Sequence, residues 1–264
     1  MRLSTSPLLI FDTETTGVDT SIDRVVEFGA VSVESGVVRE ALHRYVNPEM
    51  PIPEGASNIH GILDEKVAQS PTFKEQADDL AKLLGSGFIL VGYNAANYDA
   101  PLLNAEFERA GSSFRIDPAL VLDPVVFVRW RYRHLIKRNL GAMCAHFGIL
   151  LEDAHSAVAD CTATAHLLLK LIENGTIPND LEQALADQKL YAQVEEQEFE
   201  QWSYWLYRDR ESGALRLGAG RNTGTELSKL GGGSLQWFLN NLTDLHLGAK
   251  AAFEYELKRR EETV

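Results

Sequence analysis

Residues 8–13, Leu-Leu-Ile-Phe-Asp-Thr, constrain the fold of this chain more than any other segment. Read as a strand, they put Leu8, Ile10, Asp12 and Glu14 on one face and Leu9, Phe11 and Thr13 on the other, because successive side chains point to opposite sides. Both faces begin apolar, so both must be covered, and the strand belongs in the middle of a sheet. Asp12 and Glu14 then emerge at the C-terminal end of a buried strand, where α/β sheets usually meet their ligands. Their backbones lie about 6.5–7 Å apart with side chains pointing the same way, close enough to share a cation.

The rest of the first half fits such a sheet. Val25 to Val33 and Val37 to Val46 read as two strands joined by the short turn at Glu34, Ser35 and Gly36. Ser70 and Pro71 read as the start of a helix carrying Phe73, Ala77, Leu80 and Leu84. Phe88 to Gly92 reads as a buried strand, and a second helix starts near Asp99 and stops at Gly111. Leu120 to Leu122 is the expected fifth strand. Asn139 is expected to cap a helix closed by Gly148, and the longest helix is expected over about Ala157 to Glu173. Three antiparallel strands followed by alternating helices and strands predict an α/β fold: a mixed sheet with helices on both faces.

At 264 residues and 45% hydrophobic, the chain is long enough for one domain plus a small module. From Glu173 to Glu200 there are eight acidic residues and one basic, which reads as a partly helical, solvated connector. After Gln201 the composition changes. Trp202, Tyr204, Trp205, Tyr207 and Trp237 put three of the four tryptophans in the last quarter, and residues 201–264 carry nine basic and eight acidic side chains. The expected organisation is 1–176, a connector over 177–200, and a module over 201–264. The net charge of −13 argues against a protein that coats nucleic acid, because such proteins release counterions through basic faces. Cys144 and Cys161, the only cysteines, sit in apolar helical patterns and read as buried thiols. The apolar run Leu8 to Phe11 is too short for a signal peptide or membrane span, so the expectation is a cytoplasmic protein with no membrane association.

Further polar residues cluster in two later segments. Gly92, Asn94 and Asn97 crowd the strand-to-helix turn before Asp99, although an aspartate there also suits a helix start. Asp160 lies on a helical row continuing through Thr164, Leu167 and Leu171, toward the interior, and a carboxylate there needs a compensating partner. His155 precedes that helix, with Ser156 as its cap. An offset of five residues on an ideal helix separates side chains by about 140°, so spacing alone does not bring His155 to Asp160.

FDTETTG, GYNAANYDAPLL and HSAVAD, in this order and with these separations, resemble the three exonuclease motifs of the DEDD superfamily, in the branch with histidine in the third motif. The likeness extends to DRVVEFGAV and the IHGI turn and covers roughly residues 7 to 173. The tail, with LRLGAGRNTG and SLQWFLNN, resembles the small C-terminal module of the exonuclease X type. Tyr93 stands where many relatives have histidine, and Ala219, Asn222 and Thr223 replace much of a basic signature in the module.

The resemblance implies a ribonuclease H-like fold and 3′-5′ hydrolysis of DNA to nucleoside 5′-monophosphates, with DNA preferred over RNA. It further implies two divalent cations, Mg2+ or Mn2+, held by Asp12, Glu14, Asp99 and Asp160, with His155 as general base. Thr15, Thr16, Gly17, Ile59, His60, Ile62 and Asn94 are the residues it assigns to substrate. An RNA 3′-trimming enzyme or a polymerase III epsilon-like proofreading subunit is the alternative. A phosphatase with an aspartate nucleophile wants a second aspartate two residues after the first, where this chain has Glu14. A non-catalytic nucleic acid binding module would be favoured by loss of a carboxylate, and all four are present. Arg129, Arg131, Arg133, Lys137 and Arg138 form a basic run that reads equally as a substrate contact or as a solvated helix face or net of surface ion pairs.

Overall fold

The computed structural model of the chain describes residues 1–151 and 155–261. The elements in order are β1 (Leu8–Thr15), β2 (Val25–Glu34), β3 (Val37–Tyr45), α1 (Glu54–His60), α2 (Asp64–Val67), α3 (Phe73–Leu84), β4 (Ile89–Val91), α4 (Asp99–Arg109), α5 (Pro124–Arg131), α6 (Leu140–Phe147), α7 (Ala157–Glu173), α8 (Leu181–Trp202), β5 (Leu206–Arg208), β6 (Leu215–Leu217), α9 (Gly232–Asn241) and α10 (Leu247–Glu261). They form two compact units: Met1–Phe127 with Arg138–Lys189, and Val128–Lys137 with the chain from Leu190 onward. Among the described residues no helix is long and apolar enough to cross a membrane.

The first unit is built on a sheet of order β3-β2-β1-β4, antiparallel except for the β1–β4 pair. β1 is interior, as its two apolar faces require, and helices cover both sides. On one side Leu9, Phe11, Phe28 and Ala30 pack with Leu80 of α3 and with Leu103 and Phe107 of α4. Phe107 is fully buried between the edges of Phe73 and Phe114, at 5.1 and 4.9 Å between ring centroids. Burying such a ring contributes about 1.5–3 kcal/mol. α7 covers the other side.

Two local expectations are corrected. α3 starts after Thr72, whose hydroxyl accepts from Glu75 N while Glu75 Oε2 accepts from Thr72 N, a reciprocal cap that Ser70 and Pro71 only lead into. The expected strand at Leu120–Leu122 is a 3-10 turn over Pro118–Leu120 followed by a single parallel bridge between Val91 and Leu122. Pro118, with Asp117 capping Ala119 N, bends the chain, and Pro124 begins α5 before pairing can extend. Cys144 and Cys161 are free and buried, as read.

The acidic stretch before Glu200 is largely helical, within the 22-residue α8. The first unit continues past residue 176, because Ile177 and Ala184 are buried and Gln188 accepts from Asp123 N and donates to Val121 O. The second unit has its own core, including Trp202, Trp205, Leu217, Leu235, Phe238 and Phe253. Within it Arg133 pairs with Glu198 at 2.9 Å and Arg131 pairs with Glu211, so these members of the basic run are engaged with acids.

Candidate active site

The site is assembled at the C-terminal end of β1. In the β1–β2 register Asp12 lies opposite Gly29 and Glu14 opposite Glu27, so one sheet face carries all four positions. α7 sits directly on that face. A Cβ on Gly29 would fall 2.5 Å from the Ala157 carbonyl carbon, so only glycine lets the helix N-terminus approach this closely. Asp160 is in the first turn of α7, and its row continues into the buried Thr164, Leu167 and Leu171, as the spacing predicts.

Asp99 is the first residue of α4, yet it does not serve as the cap. Its Oδ1 accepts from Thr13 N at 2.9 Å and Thr13 Oγ1 at 2.5 Å, which ties the buried carboxylate to β1. His155 is exposed and stands before α7 with φ +71°. That left-handed turn is the physical answer to the 140° objection: His155 is off the helix, and its backbone doubles back toward Asp160. One ligand atom from each of Glu14, His155 and Asp160 lies within 4.8 Å of the others.

Burial raises all four carboxyl groups, and repulsion from neighbouring carboxylates adds to it at Asp12, Glu14 and Asp160. Burial, then the charges of Asp99, Asp160, Glu14 and Glu27, push Asp12 well above the usual carboxylate range. Burial, then Asp160, Glu27 and Asp99, push Glu14 up to about 8. Asp99 is pushed up to about 6 by burial, against the opposing effect of its Thr13 hydrogen bonds. Asp160 is raised by burial, opposed by the His155 ring and a hydrogen bond from the His155 backbone. Oxygen donors clustered under such repulsion call for a hard divalent cation.

The pH dependence follows from the sign of these shifts. Between about pH 4, where unfolded carboxyls titrate, and pH 8, the cation-free folded protein binds more protons than the unfolded chain. Its stability should therefore fall as pH rises through that window, and added magnesium should raise the melting temperature more at pH 8 than at pH 5. Melts in chelator and in magnesium across this range check it; a magnesium increment independent of pH would contradict the carboxylate assignment.

The residues assigned to substrate lie near the same strand end. Thr15 Oγ1 donates to Gly17 O at 2.7 Å and is 2.6 Å from Tyr98 OH. Thr16 is buried, donating to Asp23 Oδ1 and accepting from Arg24 N, and a Cβ on Gly17 would strike the Asp23 carboxylate at 2.5 Å. His60 Nδ1 accepts from Ile62 N, which leaves Nε2 to donate to Thr15 O at 3.2 Å, so this imidazole is neutral and ties the IHGI turn to β1. Its pKa is lowered, chiefly by burial. Ile59 is exposed there, whereas Ile62 is buried with Val26, Ile52 and Val67 and builds core under the turn. Asn94 has φ +68° and donates its backbone N–H to Asp123 Oδ1 at 2.8 Å.

Three residues outside the sequence reading also shape the site. Asp123, fully buried, accepts from Asn94, Ala96 and Val125 backbone N–H groups and so fixes the loop before Asp99. Tyr98 bonds to Thr15 and Gly17. Glu27 is 3% exposed, with Oε1 2.5 Å from His43 Nε2 and Oε2 accepting from Ala157 N at 3.3 Å. A charged residue inside the apolar run VVEFGAV was the available signal for Glu27. By holding the first residue of α7, it sets where His155 and Asp160 fall. Glu27→Ala is expected to weaken magnesium or manganese affinity about 10–100-fold, the usual effect of losing a group behind metal ligands, with Glu27→Gln nearer wild type because its amide oxygen still accepts from Ala157. Isothermal titration with manganese measures this; wild-type affinity in Glu27→Ala would remove Glu27 from the site.

The model of the RNase_T exonuclease family matches residues 9–168. Over 171 residues the chain is 29% identical to the PolC-type DNA polymerase III of Halalkalibacterium halodurans, a match covering 65% of this chain and 12% of that polymerase, so it corresponds to a small part of the larger protein. Among solved structures, exonuclease X in complex with 5′ overhanging duplex DNA is 24% identical with a TM-score of 0.54, covering 69% of this chain and 98% of that one. The zinc-bound form of an Escherichia coli exonuclease I complex with single-stranded DNA is 19% identical with a TM-score of 0.56, covering 91% of this chain and 60% of that one. These likenesses show the fold, which is the ribonuclease H-like mixed sheet expected from the sequence.

Proposed function

The chain belongs to the exonuclease family whose model spans residues 9–168, and from that premise we propose that it is a metal-dependent 3′-5′ exonuclease releasing nucleoside 5′-monophosphates from DNA ends in the cytoplasm. The observation that carries the reading is the gathering of Asp12, Glu14, Asp99 and Asp160 with His155 from three distant segments around one strand end. The donor set fits a pair of magnesium or manganese ions: every carboxylate in it is raised by burial, and oxygen ligands suit these metals. Asp12, Glu14 and Asp160 would hold one ion, and Asp12 with Asp99 the second. Bound there, the cations supply charge neutralisation at the scissile phosphate and a lowered pKa for the attacking water.

The chain's own groups do the rest. His155, exposed on its left-handed turn, takes the proton from the attacking water. Thr13 and Glu27 hold Asp99 and α7 in place through the bonds described above. Thr15, Thr16 and Gly17 line the exit from β1 for the terminal nucleotide, and the exposed Ile59 offers an apolar surface for its base.

End-labelled DNA and RNA oligomers incubated with magnesium test the reading. Stepwise shortening from the 3′ end with 5′-mononucleotide products, faster on DNA, is expected. Internal cuts, or 5′-end loss, would overturn it. A second reading, a proofreading activity working beside a polymerase, is favoured by the match to the PolC-type polymerase. It predicts faster removal of a mismatched than a paired 3′ nucleotide.

A further inference from the structure

The second unit exposes several aromatic rings, Phe199, Tyr204, Trp237 and Tyr255, and of these Trp237 lines a cavity. Of the rings concentrated after Gln201, Trp202, Trp205 and Tyr207 are buried, and Tyr204, half exposed, donates its hydroxyl to Asp244 at 2.9 Å. α9 packs by Leu235 and Phe238, the latter stacked on Phe253 of α10 at 5.4 Å. Trp237 falls off that face and is 55% exposed. Helical spacing groups it with Gly233 and Ser234 one turn earlier, and together with Trp205, Arg221 and Asn222 they line an open cavity of about 660 Å³. That volume is in the range of small-molecule sites.

The charge around the cavity is one-sided. Arg221 is its only charged lining residue, and among the described residues it makes no ion pair or hydrogen bond. Other arginines of this unit are engaged: Arg208 bonds to Gly213 O, Arg210 pairs with Glu198, Arg216 with Asp209 and Glu226, and Arg259 and Arg260 with Glu256. Arg221 and the exposed indole of Trp237 line the same cavity. An indole face takes a base by stacking, and a guanidinium takes a phosphate by paired hydrogen bonds. The first turn of α9, with Gly231 as a cap that brings no side-chain hydrogen bond, adds backbone N–H groups favourable to an anion.

We propose that this cavity binds one nucleotide of a single-stranded nucleic acid, with the base on Trp237 and a phosphate on Arg221, at a nucleotide other than the one hydrolysed. The identity of the ligand rests on the exonuclease reading; the existence of an anion-plus-ring site does not.

The test uses the full chain carrying Asp12→Ala, so that DNA stays intact, and measures anisotropy of a labelled dT 20-mer. Adding Trp237→Ala should weaken binding about 5- to 150-fold, the span for loss of one stacked base, and Trp237→Phe should recover much of it. Adding Arg221→Ala should weaken binding and lower the slope of log affinity against log salt by about 0.7, the single-strand value for one phosphate contact. Affinity and salt slope unchanged by both substitutions would overturn the proposal, as would loss of binding in Trp237→Phe equal to that in Trp237→Ala. In the chain with Asp12 intact, hydrolysis of thymidine 5′-monophosphate p-nitrophenyl ester should be unaffected by Trp237→Ala. Absence of that hydrolysis in the wild type would count against the exonuclease reading while leaving the binding result to stand or fall alone.

Discussion

Asp12→Ala is expected to lower magnesium-dependent hydrolysis by about 10³-fold or more while leaving a folded protein. Asp12 sits at the centre of the charge cluster, acted on by Asp99, Asp160, Glu14 and Glu27 together, and is the one carboxylate assigned to both cations. Metal stabilisation of transition-state charge is worth several kcal/mol, and each 1.36 kcal/mol is a decade in rate. The same substitution relieves repulsion in the cation-free protein, so in chelator the variant should melt no lower than wild type. Its melting temperature should also rise less than that of the wild type on adding magnesium. Activity within tenfold of wild type would sink the two-cation assignment, and a shared magnesium increment would show screening in place of binding.

His155→Asn is expected to cost about 10²–10⁴ in kcat with KM nearly unchanged, the range for loss of a general base. Asparagine is the informative replacement because the position has φ +71°, which asparagine tolerates better than most residues. The backbone turn that presents residue 155 then survives, and the loss reads the imidazole alone. A variant whose kcat holds while KM rises would make His155 a substrate contact.

Much of the first unit was legible from periodicity. A strand apolar on both faces can only be interior, and β1 is flanked by β2 and β4. The inward row of Asp160, the caps at Asn139 and Gly148 and the hairpin at Ser35–Gly36 follow from spacing and from residue chemistry at turns. α3 is capped two residues beyond Ser70: Ser70-Pro71 and Thr72-x-x-Glu75 are both plausible openings, and only the reciprocal hydrogen bonds decide between them.

What the sequence by itself determined is the set of groups and their local direction: two carboxylates sharing a strand face, a third at a helix start, a fourth on a buried helical row, and a histidine beside it. Those are short-range properties, set by periods of 2 and 3.6 residues. Only the tertiary structure decided which groups meet. The left-handed φ at His155, the seat that Glu27 and Gly29 make for α7, and the grip of Asp123 on the loop before Asp99 all depend on partners from 27 to 130 residues away or on a backbone angle that no spacing encodes. The same holds for Val128–Lys137 joining the second unit, and for Trp237 staying in water while Trp202 and Trp205 are buried. Burial is a competition for a limited interior, settled by the whole packing arrangement and not by the identity of any one side chain.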